Sequence, residues 1–161
     1  LINTRPGELY ATQDGIIIPL DEVPDSVIQE RVLGDGVAIL PVGGKVCSPA
    51  DAEVVHIADT GHAFGLHTAD GLELLLHIGI DTVHLGGRGF RVKVKTGQTV
   101  KAGETLCVVD LELLKRQGLE AHTAILIANM PNIAAIHPEY GNARAGESCI
   151  LRYDLRGSLP G

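Results

Sequence analysis

The chain has no tryptophan, two phenylalanines and three tyrosines among 161 residues. A core of stacked aromatic rings is therefore excluded, and the interior must be assembled from Val, Ile, Leu and Ala. Three cysteines, Cys47, Cys107 and Cys149, are odd in number and never form a C-x-x-C arrangement. They supply neither a disulfide framework nor a zinc knuckle, and read as small core residues in a reducing compartment. The Lys and Arg residues are scattered, with no aromatics interleaved, and the formal net charge is -7. Nucleic acid is therefore not an expected partner, whereas a basic or neutral protein surface would suit an acidic carrier. No apolar run approaches the roughly 18–20 residues that cross a bilayer as a helix, and no secretory signal is recognisable. The expectation is a cytoplasmic monomer without membrane insertion. The chain opens on Leu1 rather than Met, as a trimmed protein or a domain cut from a longer polypeptide would.

What the sequence does contain is short apolar segments. Hydrophobic residues make up 45% of the chain, and its length suits a single domain over residues 1–161. Twenty glycines and eight prolines punctuate the segments. Strands are expected at 15–19, 37–41, 53–58, 63–68, 72–78, 90–94, 105–109, 123–128 and 148–153. So many short strands between turn signals predict an all-β sandwich or barrel. Helical patterning is sparse: Asp110 can cap a short helix over 111–117, and Pro24 can open one near 25–31. The core is expected over about 15–152, with a loose tail at 154–161.

Two histidines stand out on strand geometry. His77 lies in the run Leu74-Leu75-Leu76-His77-Ile78-Gly79-Ile80-Asp81-Thr82-Val83, and His62 lies fifteen residues before it. If Asp70-Gly71 closes a two-residue hairpin, Phe64 opposes His77 and His62 opposes Gly79. Alternate residues share a face, so the two imidazoles become diagonal neighbours, about 7–8 Å apart at the backbone. Leu72, Leu74, Leu76 and Ile78 then face the core. Glu73, Leu75 and His77 face outward, opposite Thr68, Leu66 and Phe64. The same register puts His67 on the core face opposite Leu74, where it would need a hydrogen-bond partner.

A neutral imidazole near pH 7 is both a nucleophile and a hydrogen-bond donor. One histidine can attack a phosphoryl group while its neighbour donates to the phosphoryl oxygens. Such transfer depends mainly on positioning and electrostatics, and an apolar surround keeps water out. Leu75, Phe64 and Val83 can supply that surround. Asp81 can orient an imidazole or tune the charge of the site, and Thr60 can accept from a ring nitrogen of His62 and fix its tautomer. His56, His84, His122 and His137 show no comparable pairing and are read as surface or structural residues. No cofactor is required. His62 and His77 supply half of a tetrahedral zinc shell, which Asp81 or a partner could complete, but no H-E-x-x-H spacing exists.

These residues carry a resemblance. Gly34-Asp35-Gly36-Val37-Ala38-Ile39, His62-Ala63-Phe64 and Leu76-His77-Ile78-Gly79-Ile80-Asp81-Thr82-Val83 resemble the glucose-type IIA component of the bacterial phosphoenolpyruvate:sugar phosphotransferase system. Gly86-Gly87-Arg88-Gly89-Phe90, Val100-Lys101-Ala102-Gly103 and Asn129-Met130 continue the match in order. The resemblance implies an antiparallel β-sandwich of the barrel-sandwich hybrid kind, built from a duplicated hybrid motif with very short helices. It implies that His77 takes a phosphoryl group on Nε2 from the carrier protein HPr and passes it to a cysteine of a sugar permease's IIB domain. His62 then matches the histidine that stabilises the phosphoryl group, Thr60 the threonine that orients it, and Asp81 a carboxylate whose charge responds to phosphorylation. Partners would dock on an apolar patch at Ile28, Val32, Leu33, Leu75, Val83 and Phe64. Two alternatives come from other classes: a regulatory binding protein that has lost phosphotransfer, and a zinc hydrolase on a related scaffold. Retention of both histidines argues against the first, and the lack of a third ligand and general base against the second.

Overall fold

The structure, a computed structural model, describes residues 4–157. In chain order the strands are β1 (Glu8–Tyr10), β2 (Gly15–Ile18), β3 (Asp35–Pro41), β4 (Lys45–Cys47), β5 (Ala52–Ile57), β6 (Ala63–Thr68) and β7 (Glu73–Ile78). They continue with β8 (Phe90–Val92), β9 (Thr99–Val100), β10 (Thr105–Val109), β11 (Thr123–Ile127), β12 (Ile133–Pro138), β13 (Gly141–Ala143) and β14 (Cys149–Leu155). Of two helices, α1 (Ser26–Gln29) and α2 (Leu111–Arg116), the second starts after the expected cap Asp110, while the first is opened by Asp25 as its cap rather than by Pro24, which lies one residue before it. Asp25 accepts from the amides of Val27 and Ile28, and Asp110 from that of Leu113. No helix among the described residues is long and apolar enough to cross a membrane.

The strands form an eight-stranded sheet in the order β13-β2-β3-β11-β7-β6-β5-β9 and two three-stranded sheets, β1-β14-β12 and β4-β10-β8. Their ladders are antiparallel, and the sheets do not close into a barrel, which is the sandwich architecture expected. The main core draws Leu9, Ile39, Phe64, Leu76, Leu106 and Leu151 from all three sheets. A second, smaller cluster lies on the other face of the large sheet. There Leu20, Val23 and Ile28 pack over Ala38, Ala124 and Leu126, joined by Ile80. Strand β11 is thus buried along its whole length, which accounts for its unbroken apolar sequence.

The hairpin register differs from the expected one by a residue. Ala63, not Phe64, pairs with His77, and His67 pairs with Glu73. Three residues, Ala69, Asp70 and Gly71, span the turn, with Gly71 at φ 95 and the Thr68 amide bonded to the Leu72 carbonyl at 3.1 Å. A one-residue slip exchanges the two faces of a strand. Phe64 and Leu66 therefore enter the core, while His67 turns outward with Nε2 3.4 Å from Glu73 Oε1. The exchange removes the need for a buried partner for His67.

The tail also departs from expectation. Asp154 and Leu155 belong to β14 and pair with Ala135 and Ile133, while residues 158–161 lie outside the described ones. Of the cysteines, Cys47 and Cys107 are buried core residues, and all three are free thiols.

Candidate functional site

His77 occupies the middle of the large sheet, between Ala63 of β6 and Ala124 of β11. Both cross-strand neighbours are small, so the imidazole has room to lean along its own strand. It leans toward the following turn, where Nδ1 lies 3.0 Å from the carbonyl oxygen of Gly79. A carbonyl only accepts, so Nδ1 carries the proton and Nε2 is left with its lone pair. Gly79 sits at φ 75, and a Cβ there would lie 2.3 Å from Thr82 Cγ2. The turn is closed by buried Thr82, whose hydroxyl donates to the Ile78 carbonyl at 2.5 Å.

His62 reaches the same place by another route. Its carbonyl accepts from the Ile78 amide at 2.8 Å, which puts its position opposite Ile78 rather than Gly79. By pleat alone it would point away from His77. It lies beyond the end of β6, however, after Gly61 at φ 74, and this left-handed turn carries the ring round the strand end. The imidazole centroids are 5.2 Å apart, with the planes at 80°. The expected pair therefore exists, through a turn rather than through strand alternation. Thr60 Oγ1 contacts His62 Nδ1 at 2.5 Å. Burial, and then the neighbouring His77, hold the His62 pKa below the ordinary imidazole value.

The other candidates divide. Asp81 is exposed, stands at φ 59 and bonds to neither imidazole through its carboxylate, so the orienting role expected of it falls to the Gly79 carbonyl. Val32, Leu33 and Val83 are 66%, 40% and 48% exposed, and Leu75 is half-buried. Phe64 is fully buried and Ile28 nearly so, which removes both from the contact surface. Phe64 is inside because of the register, and Ile28 because it anchors α1 to the sheet. The loop that presents Val32 and Leu33 is held by Arg31, a non-glycine residue at φ 58 whose guanidinium pairs with Asp21 and Asp35. Among the described residues, no group of three His, Cys, Asp or Glu side chains is placed to hold a metal ion, so a metal at the pair would draw its remaining ligands from elsewhere.

Sequence reasoning passed over the role of Gly79, whose carbonyl fixes the tautomer of His77, and of Thr82, whose hydroxyl closes the turn that holds it. The available signal was a glycine followed three residues later by a threonine, directly after an apolar strand.

The family model of the phosphoenolpyruvate-dependent sugar phosphotransferase system, EIIA 1, matches residues 7–133. The chain belongs to that family. The glucose-specific EIIA component of Haemophilus influenzae is 42% identical over 144 residues, covering 89% of this chain and 87% of the relative. The glucosamine-specific EIICBA component of Bacillus subtilis is 46% identical over 115 residues, which are 71% of this chain and 18% of that longer protein. Among solved structures, the glucose permease IIA of Mycoplasma capricolum superposes with a TM-score of 0.82 at 38% identity, covering 89% of this chain and 94% of its own. This EIIA chain is thus a component of a sugar phosphotransferase system and carries the fold of its relatives.

Proposed function

We propose that the chain is a cytoplasmic phosphocarrier that accepts a phosphoryl group from phospho-HPr on His77 Nε2 and passes it to the IIB cysteine of a sugar permease. The observation that carries this reading is the imidazole pair, 5.2 Å apart, with the His77 Nδ1 proton committed to Gly79. The free lone pair of Nε2 attacks phosphorus as the donor's N–P bond breaks, and that bond's electrons return to the donor nitrogen. A Thr60 hydroxyl that donates to Nδ1 leaves the proton of neutral His62 on Nε2, where it can bind a phosphoryl oxygen. In this reading Thr60 donates to the ring rather than accepting from it. Onward transfer reverses the geometry, with the IIB thiolate as nucleophile and His77 as leaving group.

Support for the acceptor comes from relatives in which EIIA is named as part of a longer EIICBA protein. The exposed Val32, Leu33 and Val83, with half-buried Leu75, would form the docking rim. A zinc ion completed by partner ligands could share the imidazole pair without entering the transfer. A purely regulatory binding protein would need the rim but not the oriented nucleophile.

Incubation with phosphoenolpyruvate, enzyme I and HPr, followed by intact-mass analysis and site mapping, tests the reading. One acid-labile phosphate on His77 is expected, and His77→Ala should take up none while keeping the wild-type circular dichroism spectrum. Normal labelling of that variant would sink the assignment. His62→Gln should still be phosphorylated, because an amide can donate to the phosphoryl oxygens. Its transfer onward to IIB should slow by about 10²–10⁴-fold, because an amide cannot relay a proton.

A further inference from the structure

Five of the thirteen Lys and Arg residues, Arg88, Arg91, Lys93, Lys95 and Lys101, fall within residues 82–103, a stretch that holds none of the chain's twenty acidic residues. All five are exposed. In a chain of net charge -7, such a segment makes the molecule electrically lopsided. The fold collects part of this charge on one surface. Lys45 of β4 and Arg91 of β8 both pair with Val108 of β10, so the three form a single row across the β4-β10-β8 sheet. Residues paired across a ladder share a face. Lys45, Val108 and Arg91 are exposed, whereas their strand neighbours Val46, Cys107 and Val109 are buried in the main core. Exposed Lys93 follows β8, its amide bonded to the Leu106 carbonyl at 2.8 Å.

The row faces away from the histidines. Leu76 and Ile78 enter the main core from the large sheet, and Val46, Cys107 and Val109 enter it from the small one. Side chains alternate along a strand, so His77 leaves the core on one side and the row of Lys45, Val108 and Arg91 on the other. Lys45, Arg91 and Lys93 make no ion pair among the described residues. Arg91 borders a cleft of about 520 Å³ lined also by Gly89, Phe90, Val108, Val109 and Asp110. The Asp110 carboxylate accepts from the Leu113 amide at 3.0 Å, and it would repel a carboxylate or phosphate seated in that cleft. The cleft is therefore no pocket for a single anion. What the face offers is spread, unpaired positive charge on long side chains around an exposed valine. That suits an extended surface of high negative charge density.

We infer that this face adsorbs electrostatically to a bilayer rich in anionic phospholipid, with Lys45, Arg91 and Lys93 among the headgroups and Val108 against them. Each Lys or Arg held near such a surface adds to the attraction. The acidic remainder of the chain does not cancel it. Fields are screened within about 8 Å at physiological salt, and a domain of this length has a radius of gyration of about 15 Å. Adsorbed this way, the molecule inserts nothing into the hydrocarbon and leaves His62 and His77 on the side open to protein partners. Adsorption does not depend on the chemistry of His77, so it stands or falls separately from the carrier reading.

The test is cosedimentation of the full chain with sucrose-loaded vesicles at physiological salt. Vesicles of pure phosphatidylcholine are compared with an equal mixture of phosphatidylcholine and phosphatidylglycerol. The wild-type chain should pellet with the mixed vesicles and not with phosphatidylcholine, and about 1 M salt should release it. Arg91→Gln/Lys93→Gln should lower the partition coefficient by about 25-fold, roughly fivefold per cation, with phosphoryl uptake from phospho-HPr left as in the wild type. No pelleting with the mixed vesicles, or equal pelleting with both kinds, would overturn the inference. So would unchanged binding by the double variant. Retention on immobilised polyglutamate without binding to either vesicle would overturn it in favour of an acidic protein partner. Vesicle binding without phosphoryl uptake by the wild type would overturn the carrier reading alone.

Discussion

At the scale of single residues, the site is a problem in proton placement. Gly79 holds one proton on His77 Nδ1, and burial beside His77 keeps His62 neutral to a lower pH than an ordinary histidine. The sign follows directly: as pH falls below about 6.5, the unfolded chain gains a proton on this histidine before the folded one does. His62 therefore lowers stability on acidification and has no effect above that range. An NMR titration should find His62 protonating below the ordinary imidazole range. In His77→Ala the midpoint should rise, because the repulsive neighbour is gone, yet stay low, because burial is the larger cause. A midpoint unmoved by that substitution would mean that His77 contributes nothing to the field at His62. His77, His62 and Thr60 were legible in the sequence because side-chain chemistry is written in residue type. Phe64 and Ile28 were misplaced on the surface, because an apolar residue near a site looks the same whether it faces a partner or the core.

At the scale of elements, turns decide what strands cannot. The Ala63–Thr68 and Glu73–Ile78 strands were legible to within a residue from their apolar patterns. Their relative register was not, because it hangs on whether the connection holds two residues or three. His62 illustrates the same limit: it reaches His77 through the Gly61 turn, a backbone conformation that alternation rules do not describe. Short strands such as Thr99–Val100 and Gly141–Ala143 were missed, since so few residues carry no period. The turn at Gly79 is the element on which function bears most. In Gly79→Ala, the strained φ and the contact with Thr82 Cγ2 should cost about 1–3 kcal/mol. The urea midpoint would report the stability loss, and phosphoryl uptake from HPr should slow with it as the His77 imidazole loses its fixed acceptor. Wild-type uptake would show that the Gly79 carbonyl has no part in aligning the nucleophile.

At the scale of the whole molecule, the hairpin that carries both histidines is tied to the C-terminal strand by one side chain. The Tyr153 hydroxyl of β14 donates to Asp70 Oδ2 in the hairpin turn at 2.5 Å. Burial first, and then Asp70, push the Tyr153 pKa well above its ordinary value of 10.0. The phenol therefore contributes its full stability below about pH 10, and loses it as pH rises through the folded-state value. Tyr153→Phe should lower unfolding free energy at neutral pH by about 1–2 kcal/mol and blunt the alkaline loss. Identical denaturation curves at pH 7 and pH 11 for both proteins would remove the tie from the account. The eight-stranded sheet, finally, ends in β13 on one side and β9 on the other, of three and two residues. Borders that short expose few unpaired amides and carbonyls for another chain to zip onto. A domain with such borders can be strung beside many neighbours, or tethered within a longer polypeptide, and meet them repeatedly at close quarters without polymerising.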